Sequence, residues 1–217
     1  YKFVPFFKRY GINAVCPRMA VCPKTHGYEC MKPRLLIFIV AYNAEKTIEQ
    51  VLTRIPRTLG AEYDIEVLVI DDGSKDRTFE QGELARRTKL LPYTLHVLFN
   101  PKNQGYGGNQ KIGFHYAIEK GFDYVALVHG DGQYAPERLP ELLAPLRLGQ
   151  ADAVFGSRML DPGGALKGGM PRYKYVGNKI LTWMQNRLLR TGLSEFHSGY
   201  RAYTVATLRH IPFEMNT

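Results

Sequence analysis

The sequence is poor in cysteine, has a single tryptophan and lacks any long apolar run, and each scarcity excludes something. Of 217 residues only Cys16, Cys22 and Cys30 are cysteine, all near the start, so the rest of the chain cannot rely on disulfides. With His26 they spell C-x5-C-x3-H-x3-C, which has enough ligands for zinc but not the spacing of a finger. Unpaired thiols in a reducing compartment are the plainer reading. No stretch reaches the roughly 18 apolar residues that suggest a membrane-spanning helix, and LLIFIVA at 35–41 has the length of a strand. No glycine-lysine-serine or -threonine triplet marks a P-loop. The stretch NQGYGGNQ has Gly105 and Gly107, but Gln110 stands where a dinucleotide fingerprint needs its third glycine, and it follows the third strand, not the first. Internal repeats and low-complexity tracts are absent.

What is there is basic: 29 Lys and Arg against 20 Asp and Glu, a formal charge of +9. Such a balance fits nucleic acid, an anionic membrane surface or phosphate-bearing substrates. No basic helix-turn-helix or regularly spaced finger is visible, so nucleic acid is not the expected partner. Part of the excess is local, since residues 1–30 hold five basic residues and one acidic one. That segment is rich in Pro and Cys, shows no helical or strand periodicity, and is too broken by charge to be a signal peptide. The expected organisation is an extension over 1–30 and one domain over 31–217, opening at MKPRLLIFIVAYN.

From Met31 apolar β-branched runs alternate with helical spacing. Strands are expected at 35–41, 65–71, 94–99, 123–128 and 152–156, and helices at 45–55, 107–120 and 136–148. Short βα alternation predicts an α/β fold with a mostly parallel sheet flanked by helices. Sites on such sheets lie at the carboxyl ends of the strands. Those ends read AYN (41–43), DDGS (71–74), NPKNQGYGG (100–108), HGDGQ (129–133) and GSR (156–158), each polar or glycine-rich. After 158 comes a glycine- and proline-rich loop, DPGGALKGGMP. A helical segment follows at 173–190, with Val176, Ile180, Trp183, Met184 and Leu188 interleaved with basic residues. Its apolar stripe is expected to pack in the core, the alternative being a helix resting on an anionic membrane.

Two strand ends carry the chemistry. VLVIDDGSKDRT could be a turn leading into a helix cap. In VHGDGQYAPE an extended backbone would point His129, Asp131 and Gln133 the same way. Asp131 can then offer an oxygen to a hard divalent cation that takes further ligands from phosphate. Alone, an Asp-Gly pair is usually a turn; the company of DDGS and GSR alters that.

In chain order, VAYNAEKTI, VLVIDDGSKDRT, NQGYGGNQKIGF, VHGDGQYAPE, VFGSRM and HSGYRAY resemble the family 2 glycosyltransferases of GT-A fold. The likeness covers nearly all of 34–210 and is greatest to the polyprenyl- and dolichyl-phosphate sugar synthases. It implies a metal-dependent, inverting transfer of a sugar from a UDP- or GDP-sugar to a polyprenyl or other lipid phosphate. By the same resemblance, Ala41, Tyr42 and Asp72 line the nucleoside pocket, and Asp71 or Asp72 hydrogen-bonds the base. Asp131 takes Mn2+ or Mg2+ and the diphosphate, Gln133 assists, and Arg158 faces the phosphates; His129, read from the residues themselves, either ligates the ion or supports the site from behind it. Ser198, Gly199 and Arg201 approach the donor or acceptor phosphate. The basic residues after Arg158, among them Arg172 and Lys174, read as cations on the acceptor side, the alternative being a solvated helix face.

There are departures. His129 stands where the family's metal motif usually begins with aspartate, which favours Mn2+ at least as much as Mg2+. Ala44 stands where a carboxylate is frequent, with Glu45 beside it, and relatives usually continue beyond Thr217, so the domain reads as C-terminally incomplete. A phosphate acceptor is already an anion and needs no general base; after Arg158 the sequence offers Glu195 as the obvious carboxylate. The alternatives are a weakly active sugar-nucleotide binding protein and a nucleotidyltransferase of similar fold. The expected location is cytoplasmic, with peripheral contact at the cytoplasmic membrane face.

Overall fold

The computed structural model describes residues 2–6 (backbone only), 31–157, 159, 164–167, 170–196 and 198–215. Arg158 and the Cys16, Cys22, His26, Cys30 group lie outside the described residues. Among the described residues seven strands form one sheet: β1 Lys2–Phe6, β2 Arg34–Ala41, β3 Asp64–Asp71, β4 Thr94–Phe99, β5 Tyr124–His129, β6 Ala153–Ser157 and β7 Arg201–Thr204. Their order is β1-β6-β7-β5-β2-β3-β4. β2 pairs in parallel with β3 and β5, and β3 with β4. β7 runs antiparallel to both β5 and β6, and β1 antiparallel to β6. Five strands therefore share one direction, which makes the sheet mostly parallel. The helices are α1 Ile48–Thr53, α2 Thr78–Arg87, α3 Gly105–Glu119, α4 Leu139–Arg147, α5 Gly164–Lys167, α6 Arg172–Leu189 and α7 Val205–Leu208.

The run LLIFIVA lacks polar alternation because β2 is buried on both faces. Leu35, Ile37 and Ile39 join the core beneath α1, α2 and α4, while Leu36, Phe38 and Val40 join the core beneath α3 and α7. On the second face α3 lies so close to the sheet that a Cβ on Gly113 would fall 2.3 Å from the Phe38 ring. Strands β2, β3 and β4 step outward in one direction, and β5 then returns to the other side of β2. The crevice where that order reverses, above the carboxyl ends of β2 and β5, is where open α/β sheets bind ligands.

Three expectations change. The helix at 173–190 forms, but Thr182 is its one buried residue and its apolar stripe is exposed, not packed in the core. Helical spacing fixes which residues share a stripe and leaves open which way the stripe faces. Residues 2–6, expected in the extension, add an edge strand to β6; Pro5 is tolerated there because an edge strand can spare an N–H. Strand β5 ends at His129, and 130–132 turns instead of staying extended, with Gly132 at φ +74°. Among the described residues no helix is long and apolar enough to cross a membrane.

Candidate active site

The strand-end loops of β2 and β3 are zippered together. The ladder runs past the strands through Asp72 N–H to the Ala41 carbonyl (2.9 Å), and Gly130 N–H donates to the Val40 carbonyl (2.8 Å). This sets Ala41, Asp72 and Gly130 side by side. Asn43, in the left-handed region at φ 49°, donates its N–H to Ser74 Oγ (2.8 Å) and accepts from Lys75 N–H (3.1 Å). Ala44 N–H donates to Thr78 Oγ1 (2.7 Å), and Glu45 N–H to Asp76 Oδ2 (3.1 Å). The Glu45 side chain pairs with Arg77 at 2.7 Å, which holds its carboxyl below the usual range. Glu45 thus braces the loop from outside while Ala44 is buried. Tyr42 remains about half exposed at the rim, free to stack on a flat ring.

Both aspartates of DDGS are buried. Asp71 Oδ1 accepts from the Ser74 N–H (3.0 Å) and hydroxyl, while burial pushes its carboxyl above the usual range against those bonds. Asp72 Oδ1 accepts from the Asn100 amide and the Gln104 N–H, each at 2.9 Å, tying β3 to the loop that enters α3. Asp71 therefore holds its own turn, and Asp72 shapes the pocket wall.

The turn after β5 is pinned from α1. Thr47 Oγ1 donates to the Gly130 carbonyl at 2.6 Å, and Arg54 holds Glu137 through two contacts of 2.9 and 3.0 Å. Within the turn Gln133 N–H donates to Asp131 Oδ1 at 3.0 Å, and both side chains are exposed. His129 is the last residue of β5. Its ring lies 5.1 Å from both Tyr106 and Tyr134, and its Nε2 points at Gly199, where a Cβ would sit 2.1 Å away.

Residues 195, 196 and 198–201 follow on the far side. Ser198 Oγ donates to the Gly156 carbonyl, Gly199 N–H donates to the Tyr134 hydroxyl (2.9 Å), and the Tyr200 hydroxyl donates to the Ala135 carbonyl (3.1 Å). Arg201 spends its guanidinium on the Ser198 and Phe196 carbonyls (2.5 and 3.1 Å) and lies over the Phe155 ring. Glu195 is 2% exposed; it accepts from Asn178 Nδ2 of α6 (3.2 Å), with Ser157 Oγ at 3.5 Å. Arg172 and Lys174 stand exposed on the first turn of α6.

The structure thus sets side by side the strand ends that carry Ala41, Tyr42, Asp71, Asp72, His129, Asp131 and Gln133, and ties Ser198 to Gly156 of β6. Asn43, Thr47, Ser74, Asp76, Thr78, Tyr134 and Tyr200, which hold the loops in place, went unassigned in the sequence. Their polar turn chemistry was visible, but pairing across more than 30 residues was not. Among the described residues no three His, Cys, Asp or Glu side chains converge as a metal cage. One exposed carboxylate, Asp131, fits a hard cation that draws its remaining ligands from a diphosphate and water.

The profile described as "Glycosyl transferase family 2" matches residues 36–211. An undecaprenyl-phosphate mannosyltransferase from Micrococcus luteus is 34% identical over 185 residues, covering 83% of this chain and 70% of that protein. A polyprenol monophosphomannose synthase from Mycolicibacterium smegmatis is 31% identical, covering 82% of this chain and 64% of its own length. Among solved structures, glucosyl-3-phosphoglycerate synthase from Mycobacterium tuberculosis, in complex with Mn2+ and uridine-diphosphate-glucose, superposes with a TM-score of 0.57. It is 20% identical, a likeness of fold, covering 83% of this chain and 59% of that one. The chain thus spans less than two thirds of the last two proteins.

Proposed function

Because the chain belongs to glycosyl transferase family 2, we propose that it moves a sugar from a nucleoside diphosphate sugar to a polyprenyl phosphate with inversion. What supports this reading is that the loops carrying Tyr42, Asp72, Asp131 and Gln133 leave adjacent strand ends, joined by the Asp72 to Ala41 and Gly130 to Val40 backbone bonds. Tyr42 stacks on the base and the wall shaped by Asp72 receives the nucleoside, UDP or GDP. Asp131 holds Mn2+ or Mg2+, and Gln133 and Arg158 address the diphosphate. His129, enclosed by Tyr106, Tyr134 and Gly199, supports the turn from beneath. The ion, when bound, neutralises charge on the leaving diphosphate.

An acceptor phosphate oxygen attacks the anomeric carbon from the face opposite the leaving group. The new C–O bond forms as the old one breaks, and its electron pair leaves with the nucleoside diphosphate. No proton need be removed from an anionic acceptor. Two described acids follow residue 157: Glu195 is buried on Asn178, and Glu214 is held by His115. Both described acids are thus engaged by those partners, in keeping with an acceptor that needs no base. The setting in this reading is the cytoplasmic face of a membrane.

The test is transfer of labelled sugar from UDP- and GDP-sugars to a short polyprenyl phosphate in detergent. Asp131→Ala is expected to lower turnover by about 100-fold or more, the scale of losing one electrostatic stabiliser of the transition state. Equal turnover in Asp131→Ala and the parent would remove Asp131 from the reaction.

A further inference from the structure

Helix α6 is built inside out. In a helix packed on a globular core the apolar stripe faces inward and the polar face meets water. Here the inward residues are Tyr175, Asn178, Thr182 and Asn186, spaced by three or four, and they are partly or fully buried. They are held by polar bonds: Asn178 donates to Glu195 and accepts from Thr182 Oγ1 (3.1 Å). Asn186 donates to the Leu193 carbonyl (2.7 Å) and accepts from Leu193 N–H (2.8 Å). The outward stripe is Tyr173, Val176, Ile180, Trp183, Met184 and Leu188, between 47% and 77% exposed.

Charge identifies what can cover that stripe. Arg172, Lys174, Lys179 and Arg187 lie on the helix, Arg190 follows it, and no Asp or Glu occurs from 172 to 194. A second copy meeting this face across a two-fold axis would set two cationic helices together. An anionic bilayer instead satisfies both features, taking the apolar stripe into its acyl boundary and the cations at its headgroups. Trp183, with its apolar ring and polar N–H, suits that boundary.

We propose that α6 lies in the plane of an anionic membrane surface and docks the protein there by its outward stripe. The inward hydrogen bonds, through Asn178 to Glu195 and on toward Ser157 at the end of β6, join the docked helix to the strand ends of the candidate site. The proposal stands on α6 alone and does not need the transferase reading.

Trp183 is the sole tryptophan and reports directly. The full chain is mixed with vesicles of phosphatidylcholine alone, or of equal parts phosphatidylcholine and phosphatidylglycerol. Emission and iodide quenching are then followed. The expected result is a blue shift and protection from iodide with the anionic vesicles only, reversed by high salt. Ile180→Gln combined with Leu188→Gln should weaken vesicle binding by about tenfold or more, since each removes an apolar side chain from the membrane. Lys179→Glu combined with Arg187→Glu should do the same. Circular dichroism should stay unchanged, as all four residues are exposed, and the parent's own Trp183 signal decides the matter if a variant misfolds.

Trp183 quenched equally with and without anionic vesicles would overturn the proposal. So would shielding of Trp183 in the absence of vesicles, with a doubling of mass as concentration rises, which would assign the stripe to a second copy. A chain that binds anionic vesicles but transfers no sugar would keep this inference and refute the transferase reading.

Discussion

Gly199 and His129 show how much one atom decides at this site. The imidazole is walled by Tyr106 and Tyr134, and its Nε2 is directed at a backbone with no side chain. A methyl group at 199 must displace the ring or the 198–200 segment, which also carries the bonds to Tyr134 and Gly156. Gly199→Ala is therefore expected to cost about 1–3 kcal/mol, the usual range for overpacking. Gly192→Ala, where an added Cβ meets nothing within 4 Å, should be neutral. Urea unfolding of the two variants checks this, and equal midpoints would show that the ring moves aside freely. The residue types of this site suggest a metal-and-phosphate motif, which the proposed function carries forward, and Asp131 and Gln133 stand exposed on one turn. The orientation of His129 was not legible, because the expectation assumed an extended backbone past the end of β5. Gly132 at φ +74° turns the chain instead.

Among elements, the strands were read nearly to the residue, and β4 matches the expected 94–99. Continuous apolar runs five to eight residues long, bounded by turn formers, admit little else. β7 and β1 carry little apolar pattern, since β7 is four residues long and opens on Arg201, and Pro5 interrupts β1. Helix α6 was legible as a helix but not in its facing. Its place depends on Glu195, buried between α6 and the end of β6. Glu195→Ala leaves the Asn178 amide without that acceptor and should cost about 1–3 kcal/mol. Glu195→Gln keeps an acceptor oxygen and should lose less. Limited trypsin digestion adds a local readout: cleavage after Lys179 and Arg187 should accelerate in the alanine variant as α6 opens. Parent-like stability and cleavage in Glu195→Ala would show that α6 is held by other contacts.

At the scale of the whole molecule, the sheet order converts distant motifs into one crevice. AYN, DDGS and HGDGQ are far apart in sequence, yet β5 inserts beside β2 and lays the Gly130 turn against Ala41. In the proposed function that crevice binds metal and nucleotide together, because the protein supplies one exposed carboxylate and no cage among its described residues. Chelation with EDTA should therefore remove most of the thermal stabilisation by UDP or GDP, and Mn2+ should restore it. Asp131→Ala should show a weak nucleotide response that neither EDTA nor Mn2+ changes. A nucleotide response in the parent that is indifferent to EDTA would assign diphosphate binding to protein cations instead.

Sequence alone determined the α/β alternation, the near-complete burial of β2 and the placement of polar strand ends at the carboxyl edge. These follow from local periodicity and turn chemistry, which the chain carries residue by residue. Tertiary structure decided which loops zipper together, where the His129 ring points, and that the apolar face of α6 looks outward. Each of these depends on partners far along the chain, and a helical or strand repeat holds no record of which side its neighbours will occupy.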